Sequence, residues 1–200
     1  MSRSYGGRSS VDRATERRAR LIDAGFSIVG TEGVAALGMR AVCREAGLSQ
    51  KFFYESFTDI DELLHAVYAA ALSRLEGVVA SAVGAHDLPA VFDAAARLME
   101  ADPRVCRILL IEPVADIRLR HHVRETIPAI MATAFGDLVT VAPEDPQIKM
   151  HFSAVFGALI SLFVEWIEGN LGTDRDAFVR HACDVTTRLI PTTFPATQRL

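Results

Sequence analysis

The sequence is poor in cysteine and tryptophan: Cys43, Cys106, Cys183 and Trp166 are all that 200 residues contain. Three widely spaced thiols in apolar helical patterns suit free buried side chains in a reducing compartment better than disulfides or a zinc site. Long apolar runs are missing too. The longest uncharged one, Phe152 to Val164, stops at His151 and Glu165 and is shorter than the ~18–20 residues that cross a bilayer, so it reads as a buried helix and no membrane partner is expected. Met1 to Ser10 carries arginines with no apolar segment behind it, so no secretory signal and a cytoplasmic location are expected. The two-residue alternation of a half-buried strand is almost absent. Catalytic signatures are lacking: there is no Gly-x-Ser-x-Gly elbow, no Gly-x-x-x-x-Gly-Lys loop and no His-Glu-x-x-His pair. Glu62 and His65 have di-iron spacing, but His86, His121, His122, His151 and His181 each lack a glutamate three residues earlier, so no second copy exists. His121 and His122 point about 100° apart on a helix, which disfavours a shared metal. The chain reads as no enzyme, with no cofactor and no metal.

What is present is apolar spacing of three and four, which makes the chain all-α with about nine helices. Ala14, Leu21, Ala24, Ile28 and Val29 form the first stripe, over roughly 12–30, with Gly30 and Gly33 as its stop. Met39, Val42, Cys43 and Ala46 form a short helix closed by Gly47. Ser49 caps another reaching about Tyr54, and Asp59 and Glu62 stand at capping-box spacing before a long fourth helix toward Gly84. Asp87-Leu88-Pro89 and Asp102-Pro103 open the next two, the second ending at Pro113. A further helix runs from Arg118 to about Val139, kinked or split at Pro128, with a loop from Val141 to Pro146. The last two cover about 147–168 and 174–189. The expected organisation is a disordered arm at 1–10, a head of short helices at 11–57 and a larger helical domain at 58–200.

Net charge is −4, but it is unevenly divided: residues 1–57 hold nine Arg/Lys against six Asp/Glu, leaving the rest at −7. A basic head on an acidic body concentrates attraction for phosphate at one end. The head also pairs two short helices through one glycine. In a helix-turn-helix the second helix enters the major groove, so it needs polar or basic side chains near its start and apolar anchors inward. Ser49, Gln50 and Lys51 meet the first demand, and the free N–H groups at that helix start can meet phosphate. Phe53 and Phe57, four apart, meet the second, with Phe52 and Tyr54 on flanking faces.

The run Arg20-Leu21-Ile22-Asp23-Ala24-Gly25-Phe26, then Gly33, Val42-Cys43-Arg44-Glu45-Ala46-Gly47-Leu48-Ser49, Phe53-Tyr54-Glu55-Ser56-Phe57 and Leu63 resembles the N-terminal domain of the tetracycline-repressor (TetR) family. The resemblance covers about a quarter of the chain. It implies phosphate contact by Tyr54, base or phosphate contact by Arg40, Gln50, Lys51 and Phe52, and support from Ser49. Three positions depart from the family pattern: Gly38 replaces a threonine whose hydroxyl commonly meets phosphate, Ile60 a lysine and Ser56 a histidine. Arg40, Arg44 or the N-terminal arginines are expected to compensate, and Phe52 to pack on a thymine methyl or a sugar.

The expected function is a ligand-responsive transcriptional regulator, a repressor that binds a palindromic operator as a homodimer and is released by a small, largely apolar effector. Expected partners are double-stranded operator DNA, a second copy of the chain and that effector. Phe92, Met99, His122, Met131, Phe135, Phe163 and Trp166 are candidates for the effector pocket. For the dimer interface they are Phe152, Val155, Phe156, Leu159, Leu162, Phe178 and Val185, with Ala154, Gly157 and Ala158 as small positions that interlock with large ones. The alternative, opened by Gly38 and Ile60, is a helical ligand-binding or enzymatic protein whose head has lost DNA binding.

Overall fold

The computed structural model describes residues 10–85, 87–123, 146–172 and 174–189, apart from the side chains at 10, 147–149 and 152. In chain order its elements are α1 (Ser10–Glu32), a 3-10 turn (Val34–Ala36), α2 (Met39–Ala46), α3 (Gln50–Ser56), α4 (Ile60–Gly84), α5 (Leu88–Ala101), α6 (Pro103–Cys106), a π-helical turn (Arg107–Ile111), α7 (Glu112–Ala115), α8 (residues 117–123), α9 (Pro146–Ile167) and α10 (Arg175–Leu189). The segment from α6 through the π turn to α7 is one rod, so the described residues hold nine helices and no strand, as the apolar spacing predicts. Pro128, Met131, Phe135 and the loop up to Asp145 lie outside the described residues.

Local signals set most boundaries. The Asp59 carboxylate accepts the Glu62 N–H at 2.8 Å, Asp87 accepts that of Ala90 at 3.1 Å and Asp174 that of Ala177 at 3.1 Å, each satisfying a first-turn donor. Glu62 completes its cap one residue early, accepting the Thr58 N–H at 2.7 Å. Three expectations need correction. Ala14 is exposed, and the buried stripe of α1 begins only at Leu21. Gly30 does not stop α1, which runs on to Glu32 and breaks at Gly33, where φ is +90°. Pro113 does not end its helix either. A proline ring collides with the carbonyl four residues back, and the wider turn at Arg107–Ile111 immediately before it lets the rod continue to Ala115.

By length and composition α4 is apolar enough to cross a membrane. In this fold its first half packs inward, with Leu63, Leu64, Val67, Tyr68 and Ala71 buried and contacts to α1 and α5, while much of the stretch from Ser73 to Gly84 is exposed. Two apolar clusters hold the molecule together. The first joins Leu21, Phe26, Val29, Val42, Phe53, Phe57, Leu63 and Val67 to Val105, Ile108, Leu109, Leu119 and Val123. The head therefore shares its core with the rod and α8, although the chain's charge divides near residue 57. The second cluster gathers Phe92, Ala96, Met99, Cys106, Phe163, Trp166, Phe178 and Ala182 from α5, α6, α9 and α10. Burial pushes the Cys106 thiol up to about 11 and raises that of Cys43, so both stay protonated and apolar at neutral pH.

Candidate nucleic-acid interface

Helices α2 and α3 meet at Gly47, which adopts a left-handed conformation with φ +62° and ψ +38°. The Gly47 N–H donates to Arg44 O at 3.2 Å and that of Leu48 to Cys43 O at 2.9 Å, the two bonds of a Schellman stop. Arg20 of α1 caps the same end, its Nη2 donating to Ala46 O at 2.5 Å. The turn thus directs α3 across α1 and α2. Phe53 and Phe57, 1% and 2% exposed, pin it from below.

The outward face of α3 carries what the sequence predicts. Gln50, Lys51 and Tyr54 are exposed, with the Lys51 side chain 81% accessible and Tyr54 62%. Arg40 and Arg44 on α2 are exposed as well. Ser49 occupies the residue before α3, but its hydroxyl makes no capping bond, so it does not satisfy the first-turn N–H groups that the sequence pattern assigns to it. Gly38, before α2, has extended backbone (φ −137°), and a Cβ there would meet nothing within 4 Å. Neither conformation nor space demands the glycine.

Phe52 differs from expectation. It is half-buried beneath the Arg17 guanidinium, whose carbon lies 4.5 Å from the ring centroid. Arg17 also donates to Glu55 at 3.4 Å, and Lys51 Nζ lies 3.9 Å from the other oxygen of Glu55. Arg18 sits over the Phe57 ring at 4.6 Å. Three of the arginines that give the head its positive balance, Arg17, Arg18 and Arg20, therefore also make contacts within the head, on Phe52, Phe57 and Ala46 O.

The body holds the head through residues that sequence reasoning missed. Glu112, 7% exposed, accepts the Val34 N–H at 2.8 Å and Arg107 Nε at 2.9 Å, while Arg107 Nη1 donates to Thr31 O at 2.9 Å. A Cβ on Gly30 would lie 2.4 Å from Arg104 Cβ, and one on Gly33 would meet Arg107 and Glu112 at 2.9 and 3.0 Å. Two side-chain-free positions thus let the rod lie directly on the end of α1. The usable signal was Glu112 itself, a lone acid between an apolar run and Pro113. At the other end of the rod Arg74 of α4 bridges to Asp102 at 3.3 Å. Further contacts tie α4 to α8: Arg118 Nη1 reaches Asp61 at 2.7 Å, and His122 stacks on His65 at 4.5 Å with Tyr68 edge-on.

Of the effector candidates, Phe92, Met99, Phe163 and Trp166 come together in the second core cluster, where Trp166 stacks on Phe178 at 4.4 Å. Beside them is an open cleft of about 290 Å³ lined by Glu100, Pro103, Trp166, Ile167, Gly169 and Gly172. His122 stands apart, at the α4–α8 contact. Of the dimer candidates, Val155 and Phe178 are buried within the protomer, 0% and 7% exposed, and do not face outward. Phe156 packs on the first cluster and Leu159 and Leu162 on the second, while Val185 is half-buried and the Phe152 side chain lies outside the described residues. The row that α9 leaves exposed runs through Met150, Ser153, Ala154, Gly157, Ser161 and Glu165, with small residues at its middle. The apolar side chains turn inward because α5, α10 and the π turn already cover that face.

Residues 21–67 match the family model described as bacterial regulatory proteins, tetR family. No curated protein sequence matches the chain. Among solved structures, the multidrug binding protein EbrR complexed with imidazole is similar at 25% identity and a TM-score of 0.64, over 92% of this chain and 98% of that one. The fatty acid degradation regulator FadR from Bacillus halodurans shares 15% identity at a TM-score of 0.64, over 87% and 94%. A TetR-family regulator from Mesorhizobium loti shares 18% at 0.61, over 88% and 96%. The tetR-family match runs from Leu21 in α1 into the first part of α4, and the likeness of fold extends along the body: residues 21–67 of this chain form a helix-turn-helix head of the TetR type.

Proposed function

We propose that this regulator is a repressor that binds a palindromic operator as a homodimer and is released by a small, largely apolar effector. The observation that carries the reading is the outward face of α3, where Gln50, Lys51 and Tyr54 project from a helix anchored by two buried phenylalanines. A helix held in this way enters a major groove side-on, and its basic and amide groups meet phosphates and base edges. A family of this kind works in the cytoplasm, beside the chromosome.

The dimer is built on α9 and α10. The row of Ala154, Gly157 and Ser161 lets a second copy approach α9 closely, and two reading helices related by a two-fold axis then address half-sites ~34–36 Å apart. The EbrR structures hold imidazole and malachite green, which supports a small organic effector here too. Such a ligand acts through the rod: a shift at the second cluster moves Arg107 and Glu112, which bear on Thr31 and Val34 just before α2. A tenfold loss of operator affinity needs only ~1.4 kcal/mol of coupling.

Lys51→Ala is expected to weaken binding to a DNA duplex selected by the wild-type protein and to make its salt dependence shallower by about one phosphate contact. Tyr54→Phe should weaken it as well, both variants keeping the wild-type melting temperature. Gel shifts across a salt series and a thermal scan check this. A large fall in melting temperature, or unchanged affinity, would remove these residues from the interface.

A further inference from the structure

We infer that Arg17 is a positioning residue for DNA reading, setting the pitch of α3 through Phe52 and Glu55 without touching DNA itself. The inference rests on α3 being the groove-entering helix. Arg17 belongs to α1, which the sequence comparison matches only from residue 21 onward.

Helix α3 is seven residues long, barely two turns. Its buried anchors, Phe53 within it and Phe57 just past its end, lie on one face, and anchors on one face alone leave a short helix free to roll. Arg17 supplies two further points on one side. Its guanidinium plane covers the Phe52 ring at 4.5 Å, and its Nη2 reaches Glu55 at 3.4 Å, three residues on and therefore on the same face. The side chain is only 23% accessible, and its Nε is buried without a hydrogen-bond partner, as suits a plane pressed on a ring and not a group extended into solvent. Arg20 fixes the end of α2 one turn further along α1, so a single turn of α1 sets both helices of the reading unit.

Charge points the same way. Glu55 is the one acid within α3, and in a groove lined by phosphates a bare carboxylate opposes binding. Arg17 neutralises it and leaves Lys51, which also borders Glu55, to project outward. If Arg17 reached a phosphate instead, it would uncover Phe52 and release Glu55 at the surface meant for DNA. Lysine cannot substitute, because a point charge has no plane to lay on the ring.

The test uses the full-length protein, a duplex that it recovers from a random-sequence pool and a shuffled duplex of equal length, over a salt series. Arg17→Ala should lose about tenfold on the recovered duplex and under about twofold on the shuffled one, with the slope of log K against log salt unchanged. Arg17→Lys should show the same loss. Phe52→Leu changes no charge, and it should lose a similar factor that does not add to that of Arg17→Ala. Equal losses on both duplexes with a slope shallower by about one would make Arg17 a phosphate contact and overturn the inference, as would rescue by lysine. Should Arg17→Ala fail to fold, Phe52→Leu decides alone: full affinity for the recovered duplex overturns the proposal. A wild-type protein that recovers no duplex defeats the DNA reading itself, an outcome distinct from wild-type binding that the variants leave intact.

Discussion

Replacing Glu112 by alanine lowers the melting temperature by roughly 5–10 °C, the expected result if this carboxylate fastens the rod to the head. Val34, whose N–H it accepts at 2.8 Å, is 4% exposed, so cutting the side chain back takes this acceptor from a buried donor. An unpaired buried N–H costs ~1–3 kcal/mol. Arg107 loses its partner too, but it is about a third exposed and regains water, so its share stays well below the ~3–5 kcal/mol of a fully buried broken pair. Together the loss is about 2–3 kcal/mol, and each kcal/mol shifts Tm by ~2–4 °C in a chain of this size. Glu112→Gln keeps an oxygen for Val34 and should lose about half as much. Circular dichroism on heating measures both. A shift of under about 2 °C for the alanine variant would show that the contact between rod and head does not depend on this residue.

Phe53→Ala and Tyr54→Phe, adjacent on α3, should behave as opposites. Phe53 lies 1% exposed in the first core cluster, its ring 5.9 Å from that of Phe57, and its removal leaves a cavity that costs ~3–5 kcal/mol. A drop in Tm of about 10 °C or more follows, and DNA binding is lost with the head's fold. Tyr54 is 62% exposed, and deleting its hydroxyl changes stability by no more than about 0.5 kcal/mol. Calorimetry on the two proteins separates anchor from contact. Comparable losses of stability would mean that the register of α3 differs from the one described.

The sequence made the head legible because its signals are local. Gly47 needs a positive φ, Asp59 sits three residues before the N–H it caps, and Phe53 and Phe57 share a face by spacing alone. Side chains whose partners are distant in sequence were not legible. Arg17 entered only as one of nine basic residues of the head, and its place over the Phe52 ring could not be read from spacing. Glu112 reaches Val34 across 78 positions, and no spacing rule finds such a pair. In α9 the apolar pattern announced a buried face without saying what buries it. Val155 turned out to serve the protomer's own core, and the middle of the face that α9 leaves exposed is made of small residues. Pro113 misled because a π turn accommodates a residue that normally stops a helix.

The central claim, that the face of α3 reads DNA in a two-fold assembly, is tested most directly by selecting duplexes from a random pool with the full-length protein and measuring stoichiometry and salt dependence on the winners. The account predicts an inverted repeat with half-sites ~10 base pairs apart or a multiple of that, two copies of the chain per duplex, and affinity that falls steeply as salt rises. Enrichment of no duplex over a shuffled control, even at low salt, would contradict it.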